Sequence, residues 1–139
     1  MVISLQLDSD TPLYEQLRNQ IVIGIATGEL EPQEKLPTVR QLAEELGINT
    51  MTVNKTYSLL KQEGYIVIDR RHGAKVNPQM PGDPEPTPEL EEKLQLIIAQ
   101  AAIQGINESR FQTLCSQIFS KMTYNPLETS PCRMRRSSC

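Results

Sequence analysis

Catalysis in this chain would have to be assembled from one histidine, His72, three cysteines and 17 carboxylates. No carboxylate stands at a catalytic spacing from His72. Cys115, Cys132 and Cys139 form an odd set without a CxxC step, and a lone imidazole cannot complete a zinc cluster. The expectation is therefore not an enzyme, with no cofactor and no metal site. The chemistry left is that of basic and amide side chains. The formal net charge of -3 hides a division along the chain. Residues 35–76 carry Lys35, Arg40, Lys55, Lys61, Arg70, Arg71 and Lys75 against Glu44, Glu45, Glu63 and Asp69, a net of +3. Residues 1–34 carry Arg18 against six acids, a net of -5. Where the positive charge sits decides which polyanion can be held, and its sum does not.

These side chains need elements to carry them. Thr11-Pro12 reads as a helix start, the hydroxyl as cap and the proline at the first helical position. Leu13, Leu17, Ile21 and Ile25 then recur every four residues, so a first helix of about 17 residues is expected, ending near Gly28. Thr38 and Gln41 have capping-box spacing, Val39, Leu42, Ala43 and Leu46 make an apolar stripe, and Gly47 suits a C-terminal cap. Ile48 and Asn49 make a tight turn into a third helix with Val53, Tyr57 and Leu60 inward and Gly64 as its stop. Two short helices so joined form a helix-turn-helix. Tyr65 to Asp69 reads as a strand, residues 70–73 as a turn and Ala74 to Asn77 as the returning strand. Helices plus this hairpin make a winged helix-turn-helix over residues 1–77.

Residues 78–88 hold five prolines and read as a semi-rigid linker. Beyond it, over residues 89–122, Leu90, Leu94, Ile97, Ile98 and Ala101 form one helical stripe and Phe111, Leu114, Ile118, Phe119 and Met122 a second. Two amphipathic helices bury too little surface alone, so a partner must cover them. Residues 123–139 carry no period and are expected to be disordered. The longest apolar run spans six residues, too short for a membrane, and no secretory signal is visible, so a cytoplasmic location is expected. The fold class is thus mainly α with a small β-hairpin: an N-terminal winged helix-turn-helix and a C-terminal two-helix tail.

In such a fold the face of the third helix opposite its buried stripe enters the major groove of double-stranded DNA. That face offers Asn49, Thr50, Met51, Thr52, Asn54, Lys55 and Ser58. An asparagine amide pairs bidentately with adenine and a lysine reaches guanine or a phosphate, so Asn54 and Lys55 stand out. The bland alternative is a solvated face that touches nothing. Lys35, Lys61, Arg70 and Lys75 suit phosphates. Arg71, His72 and Gly73 sit at the tip of the wing, suited to phosphates or a narrow minor groove. The alternative for His72 is an exposed turn residue without a role. Tyr14, Tyr57 and Tyr65 read as core aromatics and Cys115 as a small buried hydrophobe. A redox or lipid switch at Cys132 and Cys139 is set aside.

Residues 12–76 resemble the DNA-binding domain of the GntR family of bacterial transcription regulators. The resemblance lies in Pro12-Leu-Tyr-Glu-Gln, Gly28-Glu-Leu, Leu36-Pro-Thr-Val-Arg-Gln-Leu-Ala43, Gly47-Ile, Thr52-Val53, Leu60, Glu63-Gly-Tyr-Ile66, Gly73 and Val76. The two-helix tail is similar to the YtrA-type subfamily, in which it serves dimerisation. The resemblance implies a homodimeric repressor on a palindromic operator and control of a transporter operon. It also implies that Arg40, in Leu-Pro-x-x-Arg, contacts DNA. The alternative for Arg40 is a surface ion pair with Glu44. This chain departs from the pattern in three places. Thr50 and Asn54 stand where many members have arginines, Arg71 replaces the first glycine of the wing, and Gln33 follows Pro32 where glycine is usual. The places open to an unknown small-molecule effector are between the tail helices or at their contact with the winged domain, but no polar cluster in the tail marks a pocket for one. Two rival functions stand beside this one. One is a winged helix that binds only proteins. The other is a pyridoxal-phosphate enzyme like some family members, for which the sequence is several hundred residues too short.

Overall fold

The computed structural model describes residues 2–78 and 85–122. The expectations of an extended linker and a disordered C-terminus fall mostly or wholly on residues outside that range. The chain divides into two compact units, described separately below.

The first unit holds three helices and a hairpin: α1 (Leu13–Ala26), α2 (Val39–Leu46), α3 (Thr50–Glu63), β1 (Ile66–Asp69) and β2 (Gly73–Val76). Periodicity places α1, but its start differs from expectation. Thr11 does not cap it; Pro12 occupies the N-cap position and no side chain caps the helix. The carbonyl of Pro12 instead accepts from the N–H groups of Glu15 and Gln16. The helix is 14 residues long, ending before Thr27, whose N–H returns to Ile23 O. Helix α2 has the full capping box: Thr38 Oγ1 accepts from Gln41 N at 3.1 Å, and Gln41 Oε1 from Thr38 N at 3.0 Å. It ends at Gly47, whose φ of 67° is the left-handed backbone that a glycine adopts without strain. Asn49 caps α3 by accepting from Met51 N, and Gly64 ends it.

Leu17, Ile21, Leu30, Leu42, Val53, Leu60, Ile66 and Val76 are wholly or almost wholly buried and form one core. Deleting one such side chain to alanine typically costs about 2–5 kcal/mol, a large share of a small domain's stability. Two polar groups lie inside this core and both are satisfied. Thr56, fully buried, donates from Oγ1 to Tyr14 O at 2.9 Å and ties α3 to α1. Tyr57 donates from its hydroxyl to Pro37 O at 2.7 Å, holding the loop before α2. Burial, reinforced by Glu45, pushes the Tyr57 phenol well above its ordinary pKa, so it remains a donor.

The hairpin is antiparallel with Ile66 opposite Val76 and Asp69 opposite Gly73; β1 is one residue shorter than expected because Tyr65 lies outside the ladder, and β2 keeps the expected length but is shifted by one, taking in Gly73 and leaving out Asn77. A third segment adds to its edge. Lys35 bridges Lys75, Leu36 N donates to Ala74 O, and Gln33 N donates to Val76 O. Gln33 carries this connection at φ 67°, the one non-glycine with positive φ among the described residues, where glycine would sit without strain.

The N-terminal segment is the element that periodicity did not reveal. Gln20 Oε1 accepts from Ser4 N and its amide nitrogen donates back to Ser4 O; Gln16 does the same for Gln6. Two glutamine amides thus act as a ladder edge for residues 4–6, and Ile3 and Leu5 pack against the core.

The second unit is a helical hairpin, α4 (Pro88–Ile103) and α5 (Glu108–Phe119). Thr87 caps α4 with Pro88 at its first turn, and Asn107 caps α5. Only Ala101 is buried among the described residues of this unit. Leu90, Leu94, Ile97, Ile98, Leu114, Ile118 and Phe119 are all more than two-fifths exposed. No helix among the described residues is long and apolar enough to cross a membrane.

Candidate nucleic-acid interface

The capping box and Gly47 set where α2 stops, Asn49 sets where α3 starts, and the outer face of α3 follows from burying Val53, Thr56, Tyr57 and Leu60. Thr50, Met51, Asn54, Lys55 and Ser58 are left exposed and Thr52 half-buried. Asn49 is exposed, but its side-chain oxygen is committed to the cap at 2.8 Å, so only its amide hydrogens are free to read a base. Met51 is 75% exposed at the first turn, an apolar tip of the kind that contacts a thymine methyl.

Asn54 is the junction of the site. With Lys35, Pro37, Tyr57, Ile68, Arg71 and His72 it lines an open cleft of about 350 Å³ between α3, the loop before α2 and the wing. The Lys35–Lys75 bridge brings Lys35 there. Arg40 is exposed on α2 and makes no ion pair with Glu44 or any other side chain among the described residues, so its guanidinium is unengaged. Lys55 is placed differently from Asn54. Its ammonium lies 3.9 Å from the ring centroid of Tyr14 on α1, a cation–π contact worth about 0.5–1 kcal/mol at an exposed site. Reaching a base would require leaving that ring. Lys61 and Arg70 are exposed and Lys75 half-buried. Arg18, the one basic residue of the acidic N-terminal stretch, is occupied structurally. Its Nε and Nη2 donate to both oxygens of Glu63, a bond that raises its own pKa, and it lies over Tyr65.

The wing tip is ordered by Asp69. One carboxylate oxygen accepts from Arg71 N at 2.8 Å and the other pairs with His72 Nδ1 at 2.9 Å. The hydrogen bond to His72, then that from Arg71, hold the Asp69 carboxyl below its ordinary pKa. Sequence reasoning passed over this pair and over the Lys55–Tyr14 contact. The first had a signal: an aspartate two residues before a turn N–H is set up for an Asx turn. The second joins two helices and had none. Among the described residues no three histidine, cysteine or carboxylate side chains gather to hold a metal.

A family model described as bacterial regulatory proteins, gntR family, matches residues 13–76. The HTH-type transcriptional repressor YtrA of Bacillus subtilis (strain 168) is 39% identical over 75 residues, covering 52% of this chain and 58% of that protein. The chain spans about three fifths of the length of such curated relatives. The crystal structure of a transcriptional antiterminator from Listeria monocytogenes EGD-e superposes with a TM-score of 0.74 at 25% identity, covering 86% of this chain and 93% of that one. The structure of YtrA from Sulfolobus acidocaldarius, a GntR-family transcription factor, superposes with a TM-score of 0.58 at 38% identity, covering 74% of this chain and 99% of that one. That last match runs through more than the winged unit and takes in nearly the whole of its partner. With a winged helix-turn-helix followed by a two-helix hairpin, this chain belongs to the GntR family of bacterial transcription regulators and is of the YtrA type.

Proposed function

We propose that this protein is a sequence-specific DNA-binding repressor that acts as a homodimer on a palindromic operator. The observation that carries the reading is the cleft in which Asn54 of α3 meets Lys35, Arg71 and His72, with the unengaged Arg40 on the preceding helix. Arg40, Asn54, Met51 and the residues at the start of α3 read bases, while Lys35, Lys61, Arg70 and Lys75 bind phosphates. Dimerisation is assigned to α4 and α5. Their exposed leucines, isoleucines and Phe119 are too many for a lone hairpin to leave in water, and a second copy of the same hairpin completes a four-helix bundle. Repression follows from occupying a promoter and excluding polymerase, in line with the repressor YtrA of Bacillus subtilis. Control of a transporter operon rests on family likeness alone.

Phosphate neutralisation releases counterions, so binding to a duplex of random sequence is expected to weaken steeply with salt. The logarithm of the affinity should fall linearly against the logarithm of salt concentration with a slope of about -0.9 for each phosphate contacted. Fluorescence anisotropy of a labelled duplex over a salt series measures it. A protein that serves only as a protein-binding module would give no binding and no slope.

A further inference from the structure

At the wing tip the two oxygens of Asp69 have different partners, the N–H of Arg71 and Nδ1 of His72. A carboxylate only accepts hydrogen bonds, so the proton of a neutral His72 ring is drawn to Nδ1. Nε2 is then the nitrogen left facing out. The His72 side chain is 69% exposed, and Nε2 has no partner among the described residues. We infer that Asp69 is a positioning residue that holds His72 with Nε2 toward the duplex, so that the wing's hydrogen-bonding sense reverses when the ring gains a proton.

This inference rests on the DNA-binding reading above. Phosphate oxygens and the minor-groove edges of A·T pairs are all acceptors. A neutral ring with Nδ1 protonated presents a lone pair to them and gains nothing. An imidazolium presents N–H there while still donating to Asp69, and the bond becomes charge-assisted. The ionised groups around the ring act in opposite directions. Asp69 on β1 favours the imidazolium; Arg70 and Arg71 in the turn, Lys75 on β2 and Lys35 across the cleft oppose it. A bound duplex adds negative charge to Asp69's side of that balance, so binding takes up protons and operator affinity rises as pH falls.

His72 is the chain's only histidine, which makes the effect separable. The full chain and a duplex recovered by selection from random sequence are titrated by anisotropy from about pH 8.5 to about pH 5.5, the interval in which histidine changes charge. Wild-type affinity is expected to rise about tenfold for each wing engaged, hence about a hundredfold for the two wings of a symmetric dimer. His72→Gln is expected to remove that slope. Asp69→Asn gives the sharper result. The asparagine oxygen still accepts from Arg71, but its amide now donates to Nδ1, which drives the proton of the neutral ring to Nε2. The outward nitrogen is then a donor at every pH, and the amide N–H occupying the Nδ1 lone pair opposes a second proton on the ring, so the profile is expected to vary by less than about twofold. In the wild type, exchanging A·T for G·C pairs beneath the wing keeps the slope when the acceptor is a phosphate and removes it when it is a base edge; either supports the assignment. A wild-type slope retained in His72→Gln, or an Asp69→Asn profile of unchanged slope at uniformly weaker affinity, overturns it while leaving operator binding intact. Failure of all three proteins to prefer the selected duplex over random DNA would instead remove the DNA-binding reading itself.

Discussion

Arg40→Ala and Asn54→Ala are each expected to reduce operator binding to the level of random DNA while leaving the winged unit folded and the protein dimeric. Both side chains are exposed, and neither contributes to the core. Arg40 forms no ion pair among the described residues, so its removal leaves no partner behind. A bidentate base contact carries roughly 1–3 kcal/mol of discrimination, and a two-fold symmetric dimer makes it twice. The expected loss of specific affinity is therefore on the order of a hundredfold or more, with the thermal midpoint nearly unchanged. Anisotropy against operator and random duplexes, beside a melting curve, separates recognition from stability. If both variants bind the operator as wild type does, the site is wrongly placed.

Introducing a charge in the seam of the tail should have an effect of similar size by another route. Leu94 and Ile98 on α4 line a groove against Phe111 and Cys115 on α5, and each is 44% exposed in the single chain. In a dimer bundle these faces would be desolvated, and a buried unpaired carboxylate there costs more than the contact it replaces. Leu94→Asp with Ile98→Asp is expected to yield monomers in sedimentation velocity, with the winged unit's core intact. Two half-sites then bind independently, and the loss of effective concentration lowers operator affinity about 10²- to 10⁴-fold. Dimers of wild-type affinity in this variant would place the interface elsewhere.

What could be read from the sequence follows the range of the forces involved. Thr38 with Gln41, Gly47, Asn49 and Gly64 act within one helical turn, so the limits of α2 and α3 were visible from residue type and spacing. The start of α1 differs from expectation because Thr11-Pro12 fits two arrangements, and the one adopted uses the Pro12 carbonyl together with Gln16, whose amide reaches Thr11 O. The strap at residues 4–6 depends on partners ten and sixteen positions away, and Thr56 is buried because Tyr14, 42 positions away, offers a carbonyl. No local pattern encodes those pairings. The candidate site divides in the same way. Its list of exposed residues on α3 could be read from the buried stripe, whereas the engagement of Lys55 by Tyr14 and the meeting of Asn54 with the wing are products of packing.

Whether a symmetric dimer reads DNA sequence is decided by incubating the full chain with a library of random duplexes, recovering those retained over several rounds, and sequencing them. A two-fold dimer selects an inverted repeat whose half-sites lie one helical turn apart, roughly 34–36 Å centre to centre, or a whole number of turns beyond that. Recovered sequences without an inverted repeat, or no enrichment over the starting library, would contradict it.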